Sequence, residues 1–447
     1  MAEISEHPSV KRFHQRSATK SDGPSVLDAA ELRQVCLQAG ADDVGFVDVD
    51  RAELAGEKQD ILTFFPPTKS LISFVRRLNR EPIHNPARSV ANVEFEQTGE
   101  SVNETAHHIV AELENRGIRA VNPAMGFPME VARPTGTKLW VVSHKPVAVA
   151  AGLGHMGIHR NVIHPRFGNF ILLGTVLIDA KITEYQKPLD YNPCVECKLC
   201  VSACPVGAIG SDGAFNFSAC YTHNYREFLG GFTNWVEQIA DSKDSADYRR
   251  RVADGESASM WQSLSFGANY KSAYCMAVCP AGDEVLAPFL TKRSQYLKDV
   301  VRPLQEKPET VYVVPGSDAE EYVAKRYPHK TIKRVGNSLN RLRSIPAFLH
   351  GLTITFQRNQ AKGIDCTYQF TFTGREQHQA TITIQEQKLK VEDGHVGRAD
   401  LRVTADSDIW LGFIAKERSL VWALLRRKIR IKGSPRLLLA FGKCFPS

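Results

Sequence analysis

Cys194-Val-Glu-Cys197-Lys-Leu-Cys200-Val-Ser-Ala-Cys204-Pro205 decides how this chain is to be read. Gaps of two residues let three thiolates converge on one iron–sulfur cube. The fourth, held before a proline, turns away towards a second cube. Soft thiolate donors suit iron, and the loop is too compact for two zinc fingers. Structural zinc or unligated buried thiols are the alternatives, and neither calls for the Cys-x3-Cys-Pro ending.

Working outward, Cys220 follows, and Tyr274-Cys275-Met-Ala-Val-Cys279-Pro280 repeats the Cys-x3-Cys-Pro ending. This is bacterial ferredoxin spacing. By pseudo-symmetry Cys279 closes the first cube with Cys194, Cys197 and Cys200. Cys204, Cys220 and Cys275 are left for the second, one thiolate short. Ser272 occupies the place where a Cys-x2-Cys partner of Cys275 would fall. The fourth ligand is then Ser272 or a water, or the cube lacks one iron, as a 3Fe–4S cluster does. Seven of the ten cysteines fall between 194 and 279 in metal spacing, which favours a reducing, cytoplasmic compartment over disulfides.

The 447 residues exceed one compact core, so two or three domains are expected. The net charge of +7 is spread along the chain and is only weak evidence for an anionic partner such as a nucleic acid. No run approaches the ~18 apolar residues of a membrane span. Residues 1–25 are polar, without the apolar core of a signal peptide, and read as a disordered tail. In 26–190, a helix over Val26–Ala39 leads into a strand at Val44–Val49. Strand-like runs (Leu71-Ile-Ser-Phe-Val75, Lys138-Leu-Trp-Val-Val142, Phe170–Ile178) then alternate with helical ones, an α/β pattern. Cys36 reads as a core residue. The cysteines occupy 191–300, and the proline-punctuated 301–345 reads as a connector with one strand and one helix. From 346 to 447 the texture becomes strand alternation (Tyr368, Phe370, Phe372) followed by apolar helices, a separate domain.

The cysteine layout is preceded by Ala150-Ala-Gly-Leu-Gly-His-Met-Gly157 and Pro165-Arg-Phe-Gly-Asn-Phe-Ile-Leu-Leu-Gly174. Together, over about 28–290, these resemble the epoxyqueuosine reductase and reductive dehalogenase superfamily, cobalamin-dependent reductases with two 4Fe–4S clusters. The resemblance implies a nitroreductase-like α/β core and a ferredoxin-like dicluster module, with the cobalamin between them. Gly152, Gly154, Gly157, Gly168, Asn169 and Gly174 would then lie near the corrin. Taken by themselves, those glycines read equally as tight turns and close packing. A reduced ferredoxin or flavodoxin would be the electron donor.

Arg133 to Ile178 contains no Asp or Glu but holds Arg133, Lys138, Lys145, Arg160 and Arg166 and four histidines. That bias points to an anion site, unless buried strands merely exclude acids. The proton-donating aspartate of epoxyqueuosine reductases and the tyrosine of the dehalogenases have no counterpart in this stretch. His144 and Lys145, polar within an apolar run, are therefore the candidate catalytic donors, their pKa values expected to fall by like-charge repulsion. The long insert 221–271 reads as helical, either a lid or a docking surface.

Tyr368-Gln-Phe-Thr-Phe-Thr-Gly374, Val391-Glu-Asp-Gly394, Ala399-Asp-Leu-Arg-Val-Thr404 and Ile431-Lys-Gly-Ser-Pro-Arg436 resemble the sterol-carrier-protein type-2 family. This implies a twisted sheet with helices around an apolar tunnel for a lipophilic small molecule. The run Arg426-Arg-Lys-Ile-Arg-Ile-Lys432 reads as a solvated edge or a contact for an acidic surface. The expected architecture is thus multidomain, α/β and α+β. The expected function is an iron–sulfur oxidoreductase, corrinoid-dependent and acting on a lipophilic or lipid-domain-presented substrate. The rival is a non-catalytic electron-transfer or lipid-binding protein that has lost the cobalamin chemistry.

Overall fold

The computed structural model describes residues 4–16, 23–130, 140–337, 339, 342–415 and 417–446. Arg133 and Lys138, named above, lie outside them. The first sheet has four strands: β1 (Asp43–Asp48), β2 (Ser70–Arg77), β3 (Ala120–Val121) and β4 (Ile171–Ile178), in the order β1-β2-β4-β3. All three pairings are antiparallel. Its strands are apolar on both faces because both faces are covered. Val44, Phe46, Ile72, Phe74 and Val176 pack under the long helix α1 (Arg88–Asn115), against Val102, Ala106 and Ile109. Val47, Leu71 and Leu177 pack on the other face against Val147 and Ala150 of the short helix α2 (His144–Ala150).

Local readings hold with three corrections. The first helix spans Ala29–Gln38, capped by Asp28, because Val26 and Leu27 pair in parallel with Lys181 and Ile182. The run expected as a strand at 138–142 forms no strand over its described part; α2 follows with Ser143 as its N-cap. Within the expected disordered tail, Pro8–Arg16 is a helix whose described side chains are mostly exposed. Cys36 is fully buried in the core, and burial raises its thiol pKa to about 12.

The cysteine loops share one core with residues 301–327 of the expected connector. Leu199, Ala203, Val206, Tyr274 and Val278 contact a cluster that also holds Leu304, Val311, Val313, Ala319 and Val323. Residues 301–345 are thus not a free connector. Strands Thr310–Val313 and Thr331–Arg334 pair in parallel, joined by the helix Asp318–Arg326. The start of α1 reaches this core too, through Ala91 and Phe95. The insert forms α3 (Gly230–Ala240), α4 (Ser245–Arg251) and α5 (Asp254–Phe266). It is pinned at its base by Arg226, which bonds Asn234 at 2.7 Å, and by the Lys271–Glu227 ion pair.

The C-terminal sheet has five strands: β5 (Cys366–Thr373), β6 (His378–Gln385), β7 (Lys388–Asp393), β8 (Leu401–Asp406) and β9 (Ile429–Lys432), in the order β7-β6-β5-β8-β9. Only β5–β8 is parallel. The alternation read in β5 buries Tyr368, Phe370 and Phe372 against Ile382, Val403 and Ala405. Helix α6 (Leu420–Leu425) precedes β9, and α7 (Pro435–Lys443) follows it. Among the described residues no helix is long and apolar enough to cross a membrane.

Candidate functional site

Both cysteine loops are built by the same local device. Lys198 adopts a left-handed conformation (φ 60°) immediately before the helix Leu199–Ala203, and Ala273 does so (φ 53°) before Tyr274–Ala277. A side-chain-bearing residue rarely takes this conformation. Here it turns the chain so that a ligand before the bend and one after it face the same side. Cys197-Lys198-Leu199-Cys200 and Ser272-Ala273-Tyr274-Cys275 are therefore structural counterparts, which puts Ser272 in the position of Cys197. Backbone N–H groups then point at sulfur: Ala208 donates to Cys204 Sγ at 3.3 Å.

The seven thiols form two groups. Cys194, Cys197, Cys200 and Cys279 wall one enclosure, closed by Ile158, His159 and Pro280. Cys204, Cys220 and Cys275 form the second, each close enough to raise a neighbour's pKa. The groups adjoin, because Cys275 also acts on Cys200. Burial is the largest cause of these upward shifts, with thiol–thiol repulsion next; Cys200 and Cys275 are pushed up to about 12. Such thiols ionise only when a cation compensates the charge, which iron does. Among the described residues no three His, Cys, Asp or Glu side chains converge tightly enough for a single metal ion. A cube spreads its ligands wider than one ion does, so the donor set fits clusters.

Ser272 is buried, and its hydroxyl donates to Asn224 Oδ1 at 3.1 Å, the atom that also accepts from the Ser272 and Ala273 N–H groups. Its oxygen thus serves the turn.

His144 and Lys145 open α2, and they differ in availability. Both ring nitrogens of His144 are engaged, Nδ1 with Thr175 Oγ1 at 2.9 Å and Nε2 with the Ala124 carbonyl at 3.0 Å. Lys145 Nζ donates to the Arg160 carbonyl at 2.7 Å and to Asn161 Oδ1 at 2.9 Å. The pKa of each is lowered, as expected, but burial is the cause in place of like-charge repulsion. For Lys145 the nearby Cys275 and Cys220 oppose the shift. Lys145 remains solvent-accessible, and Cys220, Cys275, Tyr225 and Tyr270 partly so, although all are strongly desolvated. Lys145 and Tyr225 thus border the second thiol group. Tyr225 lies within electrostatic reach of both Cys220 and Cys275, and its ring packs on Tyr270 at 5.8 Å. The two tyrosines belong to the insert, and only the position of Tyr225 five residues after Cys220 could have signalled its place.

The five glycines assigned to a corrin pack closely against protein on the side a Cβ would occupy. A Cβ on Gly168 would lie 1.9 Å from the Ala281 carbonyl, and one on Gly174 2.1 Å from the Phe74 ring. Gly152, Gly154 and Gly157 are closed in the same way by Lys187, Ile163 and His159. Asn169 is fully buried, 3.3 Å from His159 Nε2. The glycines fit the close-packing reading. Among the described residues of the acid-free stretch, two basic side chains are paired with carboxylates. Arg166 pairs with Glu284 at 2.6 Å, and His164 with Asp43 at 3.1 Å.

Residues 187–210 match the 4Fe-4S binding domain family, and residues 355–446 match the SCP-2 sterol transfer family. Epoxyqueuosine reductase of Cyclobacterium marinum is 33% identical over 103 residues, 21% of this chain and 33% of that protein. The Staphylococcus aureus enzyme is 36% identical over 80 residues, 18% of this chain and 20% of its own length. The chain thus spans a third or less of these curated relatives. The solved epoxyqueuosine reductase of Streptococcus thermophilus is 15% identical, covering 61% of this chain and 75% of that one, with a TM-score of 0.32. An epoxyqueuosine-reductase-like iron–sulfur part is joined here to a sterol-carrier-like C-terminal part.

Proposed function

We propose that this protein is an iron–sulfur oxidoreductase that passes electrons through two clusters to a lipophilic substrate bound beside the second. The observation that carries it is the sorting of the thiols into adjoining groups of four and three. Cys194, Cys197, Cys200 and Cys279 hold the first cluster; Cys204, Cys220 and Cys275 hold the second. Bound iron–sulfur clusters supply one-electron transfer.

The half-buried Cys194 and Cys197 and the exposed Val195 make the loop at 194–198 the docking edge for a ferredoxin- or flavodoxin-type donor. The first core is nitroreductase-like in this reading. Lys145 is the proton donor and holds positive charge beside the second group, while His144, bound at both nitrogens, positions the start of α2. The Tyr225 hydroxyl, without a hydrogen-bond partner among the described residues, is a second donor beside the same group. The C-terminal domain presents the lipophile. Its interior is filled by Phe348, Phe370, Trp410 and Phe441, with Phe370 and Trp410 5.3 Å apart, so binding requires these rings to move.

Anaerobic purification with iron, sulfide and cobalt analysis tests the reading. About seven to eight irons per chain are expected, with visible absorption that bleaches on reduction. Stoichiometric zinc without iron sinks it. The closed glycines favour a second reading, an electron carrier without corrin chemistry; stoichiometric cobalt would exclude that one.

A further inference from the structure

We infer that Gln357 of the C-terminal domain is a positioning residue for the second cluster, acting through Asn216 on Cys220 and Cys204. This rests on the reading that those thiolates hold a cluster, and it holds whatever the substrate. Asn216 lies between the two ligands in the chain and bonds to the surroundings of both. Its N–H donates to the Ala208 carbonyl at 2.8 Å, and the Ala208 N–H is the one that reaches Cys204 Sγ. Its carbonyl accepts from the Cys220 N–H at 3.2 Å. Its side-chain oxygen caps the helix Phe217–Asn224 by accepting from the Ala219 N–H at 3.0 Å. One residue thus holds the backbone of one ligand and the segment whose N–H bonds the other.

The side-chain amide of Asn216 reaches the C-terminal domain. Nδ2 donates to Gln357 Oε1 at 3.2 Å, and the Asp318 N–H donates to the same oxygen at 3.0 Å. Gln357 is only 1% exposed, and its other polar groups are committed within its own domain. Nε2 donates to the Thr355 carbonyl at 2.8 Å, and the backbone N–H donates to the Cys444 carbonyl, just past α7, at 2.9 Å. The amide therefore has one orientation, since turning it over would set Nε2 against the Asn216 and Asp318 donors. A buried acceptor held in this way dictates where the Asn216 side chain sits.

Hydrogen bonds to sulfur help to set a cluster's reduction potential. Groups outside the ligands, by fixing how the ligands sit, tune a metal centre in the same way. Both ends of the Asn216 network fall on cysteines of the second group, so the effect belongs to that cluster. Arg358 pairs with Asp212 at the same junction between the two parts, which supplies a control contact of a different kind.

The test uses the full chain, purified anaerobically, with paramagnetic resonance and potentiometry of each cluster. Gln357→Met keeps the length of the side chain and removes both polar atoms. Asn216→Ser keeps a helix-capping oxygen and gives up the reach to Gln357. Each variant should leave the first cluster's signal and potential in place and shift the second potential negative, as the N–H···S bond to Cys204 loosens. Each should also speed loss of the second cluster to bathophenanthroline about fivefold or more. The double variant should shift no further than either single one, because both cut the same contact. Arg358→Ala should leave both potentials unchanged. Wild type without iron would sink the cluster reading, and this inference with it. With both clusters present, the inference alone is overturned by a second potential unmoved in both single variants, by equal shifts in the two clusters, by additive shifts in the double variant, or by a shift of the same size in Arg358→Ala.

Discussion

Ser272 and Cys197 hold the same place in two similar turns, and one atom separates their chemistry. A serine oxygen already donating to Asn224 is a poor iron ligand, so the proposed second cluster has three thiolates to hold it. Air-exposed protein should therefore show a 3Fe-type paramagnetic signal, and Ser272→Cys should suppress it while raising iron by about one per chain. Persistence of two four-iron clusters in oxidised wild type would show that another group closes the site. Lys145 makes a different prediction. Its ammonium faces Cys275 and Cys220, so Lys145→Met removes a positive charge that favours the reduced cluster. The variant should shift the second potential negative, and slow turnover about tenfold, ~1.4 kcal/mol of barrier. Potentiometry separates these effects, because a merely structural lysine would leave the potential in place. His144 was as conspicuous in the sequence as Lys145; both its ring nitrogens are engaged, whereas the Lys145 ammonium has a third N–H beyond the two it commits to Arg160 and Asn161.

At the level of the element, the left-handed residue before each short helix decides whether the ligands face one another. Ala273 bears the steric cost of that conformation, about 1–2 kcal/mol for a residue with a Cβ. Ala273→Gly should keep full iron content and shift the urea midpoint upward. Ala273→Val, β-branched in the same conformation, should lower iron occupancy. Equal iron in both variants would mean that the bend is not what sets the ligands. The same turn explains why Cys-x2-Cys spacing was legible: its geometry is confined to four consecutive residues. Strand β5 was legible for a similar reason, since alternation of Tyr368, Phe370 and Phe372 needs only the pleat. The run at 138–142 looked equally strand-like, yet its described part pairs with nothing. Strand formation needs a partner, and no local pattern supplies one.

Across the whole molecule, the C-terminal domain is held to the rest by polar contacts. Gln357, buried, accepts from Asn216 at 3.2 Å and from the Asp318 N–H at 3.0 Å, and Arg358 pairs with Asp212. Residues 301–337 belong with the cysteine loops, so truncation after about residue 340 should leave a cluster-bearing fragment. Unpairing Asn216 and Asp318 would cost at most about 1–3 kcal/mol. An aggregated fragment without iron would show instead that the two parts form one cooperative unit. Long-range packing of this kind also joins α1 to both cores, through Val102 in the first and Phe95 in the second.

The sequence by itself determined the thiolate inventory, the serine standing where an eighth cysteine would fall, the buried face of β5 and the presence of two unlike parts. Each of these depends on spacing within a few residues or on the periodicity of a single element. Tertiary structure alone decided that Lys145 and Tyr225 meet the second thiol group from segments 75 and 5 residues away from Cys220. It also decided that the glycines close on protein, that the supposed connector is core, and that Gln357 of the C-terminal domain meets Asn216. Those outcomes turn on which distant surfaces come into contact, a choice made by the packing of the whole chain and carried by no local pattern.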